Sequence, residues 1–186
     1  MDQRDLVMRA KRGDQDAFAV LAGAAVARLD GAARLILRDG ELARDAVQDA
    51  MVRAWKDLPG LRDPDRFDAW LRRLTVNACL DVARRRRRRS IEVELTPILM
   101  PSVGDESAGV ADRQQLDDAL RRLDPEWRAI VVQHFFLGMP LAEIAVVMGI
   151  PVGTVKSRLH RSLQAMRSTL TDADLDIDPV VGGQFA

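Results

Sequence analysis

The stretch from Leu141 to Met166, LAEIAVVMGIPVGTVKSRLHRSLQAM, decides the fold of this chain. Leu141–Met148 reads as a short amphipathic helix. Gly149 supplies a residue able to take positive φ at its end. Pro151 then suits the first turn of a new helix, where its missing N–H costs little. Beyond it, Val155, Leu159, Leu163 and Met166 recur at helical spacing and make an inward stripe. Helix, glycine-containing turn, helix is the helix-turn-helix pattern, whose second helix enters the major groove of DNA. Lys156, Ser157, His160 and Arg161 project together from another face. They combine a hydroxyl, an imidazole and cations able to reach base edges or phosphates.

The same period extends outward. Helices are expected at about 113–122, 125–136, 141–148 and 152–169. In the first half, Ala46, Val47, Ala50, Met51, Ala54 and Trp55 fall on one face of a helix whose other side carries Asp45, Gln48 and Asp49. Phe67, Trp70, Leu71, Leu74, Ala78 and Val82 form a second stripe, with Arg66, Arg73, Asn77, Asp81 and Arg84 largely off it. Phe67 and Trp70 are therefore expected to pack in the core. Pro59, Gly60 and Pro64 break the chain between these helices, leaving a loop from about Asp57 to Asp65. Strand signals are scarce. The fold is predicted to be all-α, with two small helical domains at residues 1–88 and 113–170. A flexible acidic linker, 89–112, holds Pro97, Pro101, Gly104 and Gly109, and an acidic tail covers 171–186.

The net charge is zero, but it is segregated. Residues 1–90 carry 20 Lys/Arg against 14 Asp/Glu, and residues 113–170 carry 8 against 5. The segments 91–112 and 171–186 contain no Lys or Arg. Basic blocks alternating with acidic ones hint at nucleic-acid contact. With one cysteine, Cys79, and two histidines, His134 and His160, a closed Cys/His zinc site lacks ligands unless carboxylates join. No internal disulfide is possible, which suits a reducing compartment. No apolar run reaches the roughly 18 residues of a membrane span. Residues 17–27 superficially resemble a signal peptide, but the residues before them are charge-balanced rather than positive. This run is expected to be a buried helix. Gly149, Gly153, Lys156 and Ser157 fail the spacing of a phosphate-binding loop. The alternating aspartates Asp172, Asp174, Asp176 and Asp178 lack the glycine and terminal glutamate of a calcium loop.

Taken together, these segments resemble the extracytoplasmic-function (ECF) bacterial sigma factors. PVGTVKSRL, from Pro151, is similar to the family's region 4 recognition helix. Asp16-Ala17-Phe18, DAVQDAMVRAW from Asp45 to Trp55, and FDAWLRRLTVNACLDVARR from Phe67 to Arg85 resemble successive segments of its region 2. The order and spacing match over about residues 4–170.

The resemblance implies a non-enzymatic function: binding core RNA polymerase, directing it to the −10 and −35 promoter elements and assisting DNA melting. It implies that Asp45, Gln48 and Asp49 dock on the clamp of β′, and that region 4 meets the flap of β. The loop Asp57–Arg66, backed by the helix carrying Asn77, matches the pocket for an unstacked −10 base, whose extrusion costs a few kcal/mol. Asn77 would hold the loop or hydrogen-bond the base. Arg72, Arg73 and the run Arg84–Arg89, Arg84 and Arg85 foremost, would contact phosphates around the −10 element. Ser157, His160 and Arg161 match positions that read the −35 element, with Thr154 and Lys156 touching backbone. His134 stands where the family often has a charged residue near DNA. Promoter DNA and an anti-sigma factor are implied partners. The expected location is the cytoplasm, without membrane insertion, and no cofactor or metal is implied. The tail is not explained by the resemblance. It reads as a solvating tail, or as a shield for the basic recognition helix.

Two other readings remain. A stand-alone helix-turn-helix regulator would bind duplex DNA by itself, but would not need the Asp45/Gln48/Asp49 face. A carboxylate-metal nuclease would reveal itself by metal-dependent cleavage. Arg outnumbers Lys by 25 to 3, a bias that fits a GC-rich bacterial genome.

Overall fold

The computed structural model describes residues 2–92 and 110–169, and among these every regular element is helical. Of the linker expected over 89–112, residues 89–92 and 110–112 belong to helices, and the rest, like the tail 171–186, falls outside the described residues. The first half contains α1 (Gln3–Lys11), α2 (Gln15–Leu37), α3 (Gly40–Asp57) and α4 (Phe67–Glu92). The second contains α5 (Val110–Arg122), α6 (Pro125–Val131), α7 (Leu141–Met148) and α8 (Val152–Thr169).

Aspartates start the helices. Asp14 caps α2 by accepting from the Ala17 N–H, and that bond together with Arg9 holds its carboxyl below the ordinary carboxylate value. Asp39 accepts from the N–H groups of Glu41 and Leu42 at the start of α3. Asp124 does the same for Glu126 at the start of α6, with Pro125 in the first turn. Each satisfies an orphan donor of the first helical turn. Gly149 ends α7 with φ of 66°, in the left-handed region, as the turn chemistry of the sequence requires.

Packing follows the apolar stripes. Around Phe67, Leu58, Leu71, Ala17 and Val7, α1 and α2 close over the start of α4. Phe67 is fully buried, with its ring centroid 6.0 Å from that of Trp70, so both aromatics serve the core as predicted. A second cluster is continuous through both halves. It joins Ile36, Val47, Val76 and Cys79 to Ile130, Ile144, Val155 and Leu159. The buried face of α4 is consequently wider than its sequence stripe: Thr75, Val76, Cys79 and Leu80 are buried too. Helix α4 packs on α2 and α3 along one side and on α6 and α7 along another.

Two expectations are corrected. The run 17–27 is helical but not buried throughout. Ala17 and Leu21 face the core, whereas Val20 and Val26 are 55% and 41% exposed. This stretch of α2 lies at the surface, so its apolar surplus faces outward. The helix expected over 125–136 is α-helical only to Val131 and continues as a π-helical turn over Val132–Phe136. The wider turn buries Gln133, whose Nε2 donates to the Ala129 carbonyl.

Burial pushes the Cys79 thiol from its ordinary 9.0 up to about 12. The unfolded chain therefore releases this proton first, and the stability this thiol contributes is complete below pH 9 and fades as pH rises toward 12. Against Cys79→Ala, the wild type should lose about 2 kcal/mol of relative stability between pH 8 and about pH 10.5, read from urea midpoints. A constant difference would show that the thiol is solvated in the folded state.

Candidate nucleic-acid interface

The helix-turn-helix is built as its sequence dictates. Val155, Leu159 and Met166 are buried against α5, α6 and α7, and Leu163 packs on their cluster. Ser162 is buried as well; its hydroxyl donates to the Arg158 carbonyl. Lys156, Ser157, His160 and Arg161 are all exposed on the outer side of α8, with Thr154 half-buried beside them. The Ser157 hydroxyl donates to the Thr154 carbonyl at 3.0 Å, so the N-terminal turn of the recognition helix is tied locally. Arg158 points elsewhere, toward Glu126 at 3.3 Å, and braces α8 on α6. His134 sits off this face. Its Nδ1 lies 3.2 Å from the Met139 carbonyl oxygen and its ring stacks edgewise on Phe135, so it closes the turn between α6 and α7.

The loop of the first half is firmer than its sequence suggests. It consists of two single 3₁₀ turns, Leu58–Gly60 and Pro64–Arg66, anchored by buried Leu58, Leu61 and Pro64. Asp63 accepts from the Asp65 N–H. Helix α1 clamps the loop from outside. The Lys11 ammonium donates to the Leu61 carbonyl at 2.5 Å, Arg4 pairs with Asp65 at 2.6 Å, and Gln3 donates to Asp68 at 2.8 Å. Asp57 and Arg66 are exposed at its two ends. Asn77 is half-buried on α4, and among the described residues its amide makes no hydrogen bond to the loop. Arg73 is exposed, whereas Arg72 is half-buried with its Nε shielded and without a partner.

The run Arg84–Arg89 continues α4 as helix, fully on the surface. Three of its members already face carboxylates: Arg84 lies 3.6 Å from both Asp81 and Glu126, Arg86 3.6 Å from Asp39, and Arg87 3.8 Å from Asp124. Loose, exposed pairs of this kind contribute little each.

Asp45, Gln48 and Asp49 are exposed along α3. Beside them runs a groove of about 450 Å³ between α2 and α3, lined by Val26, Ala27, Asp30, Arg44, Val47, Gln48 and Met51. The acidic face thus borders an apolar trough. The sequence signal for the trough was present in the apolar surplus of residues 17–27. Among the described residues no group of three His, Cys, Asp or Glu could hold a metal ion.

Two helical domains, one ending in a helix-turn-helix and the other carrying an arginine-rich helix, define a DNA-binding protein. Comparison with known proteins gives the kind. Residues 23–89 match the family "Sigma-70 region 2", and residues 113–166 match "Sigma-70, region 4". The chain is 37% identical over 144 residues to the RNA polymerase sigma-E factor of Streptomyces avermitilis, covering 77% of this chain and 79% of that one. It is 36% identical over 137 residues to the ECF RNA polymerase sigma factor SigL of Mycobacterium tuberculosis, covering 72% and 77%. Among solved structures, CnrH in complex with the cytosolic domain of CnrY is 31% identical, with a TM-score of 0.65 over 90% of this chain and 96% of that one. The sigma factor RpoE of Bartonella quintana, crystallised with the anti-sigma factor NepR, shares the fold with a TM-score of 0.72 at 23% identity, over 84% and 98%. The chain belongs to the ECF sigma factor family. It is a promoter-directing transcription initiation factor and not an enzyme.

The α1 clamp yields a direct test. Lys11→Ala removes a charge-assisted hydrogen bond and should cost about 1.5–3 kcal/mol of stability. It should also quicken proteolysis at Arg62, measured by trypsin at native conditions. Unchanged cleavage would mean that the buried leucines alone hold the loop.

Proposed function

We propose that this sigma factor docks on core RNA polymerase through the α2/α3 face and reads its promoter with two separate surfaces. The observation that supports this best is the pairing of exposed Asp45, Gln48 and Asp49 with the apolar groove beside them. A polar rim around an apolar centre is the anatomy of a protein interface. Negative charge on an otherwise basic domain complements a basic partner and speeds docking. The β′ clamp is the partner the family resemblance implies, with the flap of β meeting region 4.

In the same reading, the exposed donors of α8 enter the major groove of the −35 element. Ser157, His160 and Arg161 take base edges; Lys156 and Thr154 take phosphates. The clamped loop from Asp57 to Arg66 receives an unstacked base of the −10 element, with Asn77 beneath it. Arg73, Arg84 and Arg85 hold the neighbouring phosphates, and Arg72 braces them from its half-buried position. The rigidity given by Lys11 and the leucines serves this step, because a preformed pocket offsets the few kcal/mol of unstacking. The chain works in the cytoplasm, where polymerase and chromosome meet. By analogy with CnrH and RpoE, both solved with partner proteins, an anti-sigma factor holds it in reserve.

Run-off transcription from a promoter library with core polymerase tests the docking face. Transcripts should depend on the chain and vanish with Asp45→Arg plus Asp49→Arg. If they vanish while the variant still binds polymerase, the face acts elsewhere than in docking. Specific DNA binding by the chain without polymerase would favour the stand-alone regulator.

Base readout is tested separately. Arg161→Ala should relax preference at a single −35 base pair by about 1–3 kcal/mol, read by competition among promoter variants. A uniform loss across all sequences would move Arg161 to the phosphates.

A further inference from the structure

The loop from Asp57 to Arg66 is held from outside by a helix that the family match does not cover: α1 spans Gln3–Lys11, whereas the match to Sigma-70 region 2 begins at residue 23. Between its two 3₁₀ turns the loop is extended, with ψ of 112° at Leu61 and 107° at Asp63. The Leu61 N–H donates to the Leu58 carbonyl and the Arg66 N–H to the Asp63 carbonyl, so each bond closes one turn and neither crosses the connection. The connection is therefore the place where the loop can bend. The Lys11 ammonium donates to the Leu61 carbonyl at 2.5 Å, where the first turn passes into the connection. About two helical turns earlier, Arg4 pairs with Asp65 of the second turn and Gln3 donates to Asp68 at the start of α4. At 1.5 Å rise per residue, α1 lies along about 10–12 Å of the loop and holds it at both ends. The splint has a fixed seat of its own, because Leu6, Val7 and Ala10 are buried in one cluster with Leu58 and Phe67. Its contacts are unequal. The side chains of Arg4 and Asp65 are 55% and 63% exposed, so their pair holds weakly. Lys11 is half-buried, and an ammonium on a carbonyl is a charge-assisted bond of the stronger kind.

We propose that α1 sets how sharply the loop selects its −10 base, with Lys11 as the principal positioning residue and Gln3 and Arg4 as secondary ones. This rests on reading the loop Asp57–Arg66 as the −10 pocket. Lys11 acts through the Leu61 carbonyl and not on the base. It fixes the distance between the two turns, and with it the width of the pocket. A site discriminates only as finely as its geometry is held, which for productive constellations is within about 0.5 Å. When the connection bends, the loop closes on a smaller base or opens for a larger one, and the clash that rejects a wrong base is lost. Loosening therefore costs selectivity at the captured base. The outer face of α8 and the acidic face of α3 take no part in the splint and keep their own preferences.

The test uses the full chain assembled with core polymerase and a pooled promoter library varied at each −10 and −35 position. Preferences are read as ratios among competing promoters. Such ratios do not depend on how much of the protein is active, so a merely destabilised chain leaves them unmoved. Lys11→Met keeps the apolar stem and removes the donors. It should flatten the preference at the captured −10 position by about three- to tenfold, part of what one charge-assisted hydrogen bond is worth, and leave the −35 ratios unchanged. Lys11→Arg, which returns donors, should restore most of the preference. Gln3→Ala combined with Arg4→Ala, both on the exposed surface, should flatten the same position by about twofold, and this variant decides the matter if Lys11→Met does not fold. Unchanged −10 ratios in these variants, equal flattening at −10 and −35, or a Lys11→Arg chain as unselective as Lys11→Met would each overturn the role of α1. Asp63→Ala, inside the loop, separates this role from the reading beneath it. If it shifts the −10 ratios while the α1 variants do not, the loop reads the base and α1 has no part in the choice. If Asp63→Ala leaves them unmoved as well, the loop is not the −10 pocket, and the role of α1 falls with it.

Discussion

Helix α4 must be buried at one end and solvated at the other, and the rest of the molecule is arranged around that demand. Its first four turns place Phe67, Leu71, Thr75, Val76, Cys79 and Leu80 out of water. No single neighbour could cover so wide a face. Helices α2 and α3 take one side, and α6 and α7 take another. Its last turns carry six consecutive arginines, which cannot be buried without partners and cannot repel one another freely in a helix. Two of the carboxylates they face already cap helices. Asp39 caps α3 and faces Arg86; Asp124 caps α6 and faces Arg87. Each aspartate so placed answers both the first-turn N–H groups of its own helix and a guanidinium from α4.

The arginine cluster at the interface carries an electrostatic cost. Arg128 is buried among Arg38, Arg121 and Arg86, and burial followed by the Arg38 charge works against its own ionisation. Its Nη2 donates to the Leu123 carbonyl, while its Nε has no partner. Burying a cation in this way stabilises little, and removing one partner is usually costlier than never having had the pair. An interface with surplus positive charge is therefore held shut weakly by electrostatics and mainly by apolar contact.

How much of this was legible follows from range. The helix-turn-helix could be read because its signals are local: the left-handed Gly149, the first-turn Pro151 and the stripe from Val155 to Met166 lie within one short stretch. The helices α7 and α8 have the expected limits for that reason. The acidic face of α3 was legible through the same period. Other features depend on partners far along the chain. Lys11 reaching Leu61, Gln3 reaching Asp68 and Arg28 reaching Phe136 leave no periodic trace, because each is one polar residue on an ordinary helix surface. The run 17–27 misled for a different reason. Periodicity cannot distinguish an apolar helix that is covered from one that awaits a cover.

The exposed apolar trough and the place where Phe136 rests lie on the same helix, but on different sides of it. Val26 and Ala27 line the groove toward α3, while Gly31, one turn on, receives the ring from region 4. The 1.5 Å rise per residue puts these two contacts within about 6–8 Å along the axis. At about 100° per residue, however, Gly31 and Arg28 turn progressively away from the groove residues Val26 and Asp30. Arg28 lies beyond Gly31, on the side of α2 away from the groove, and donates to the Phe136 carbonyl from the exposed surface. The groove and the resting place of Phe136 can therefore be filled independently, and both leave untouched the core that α4 organises.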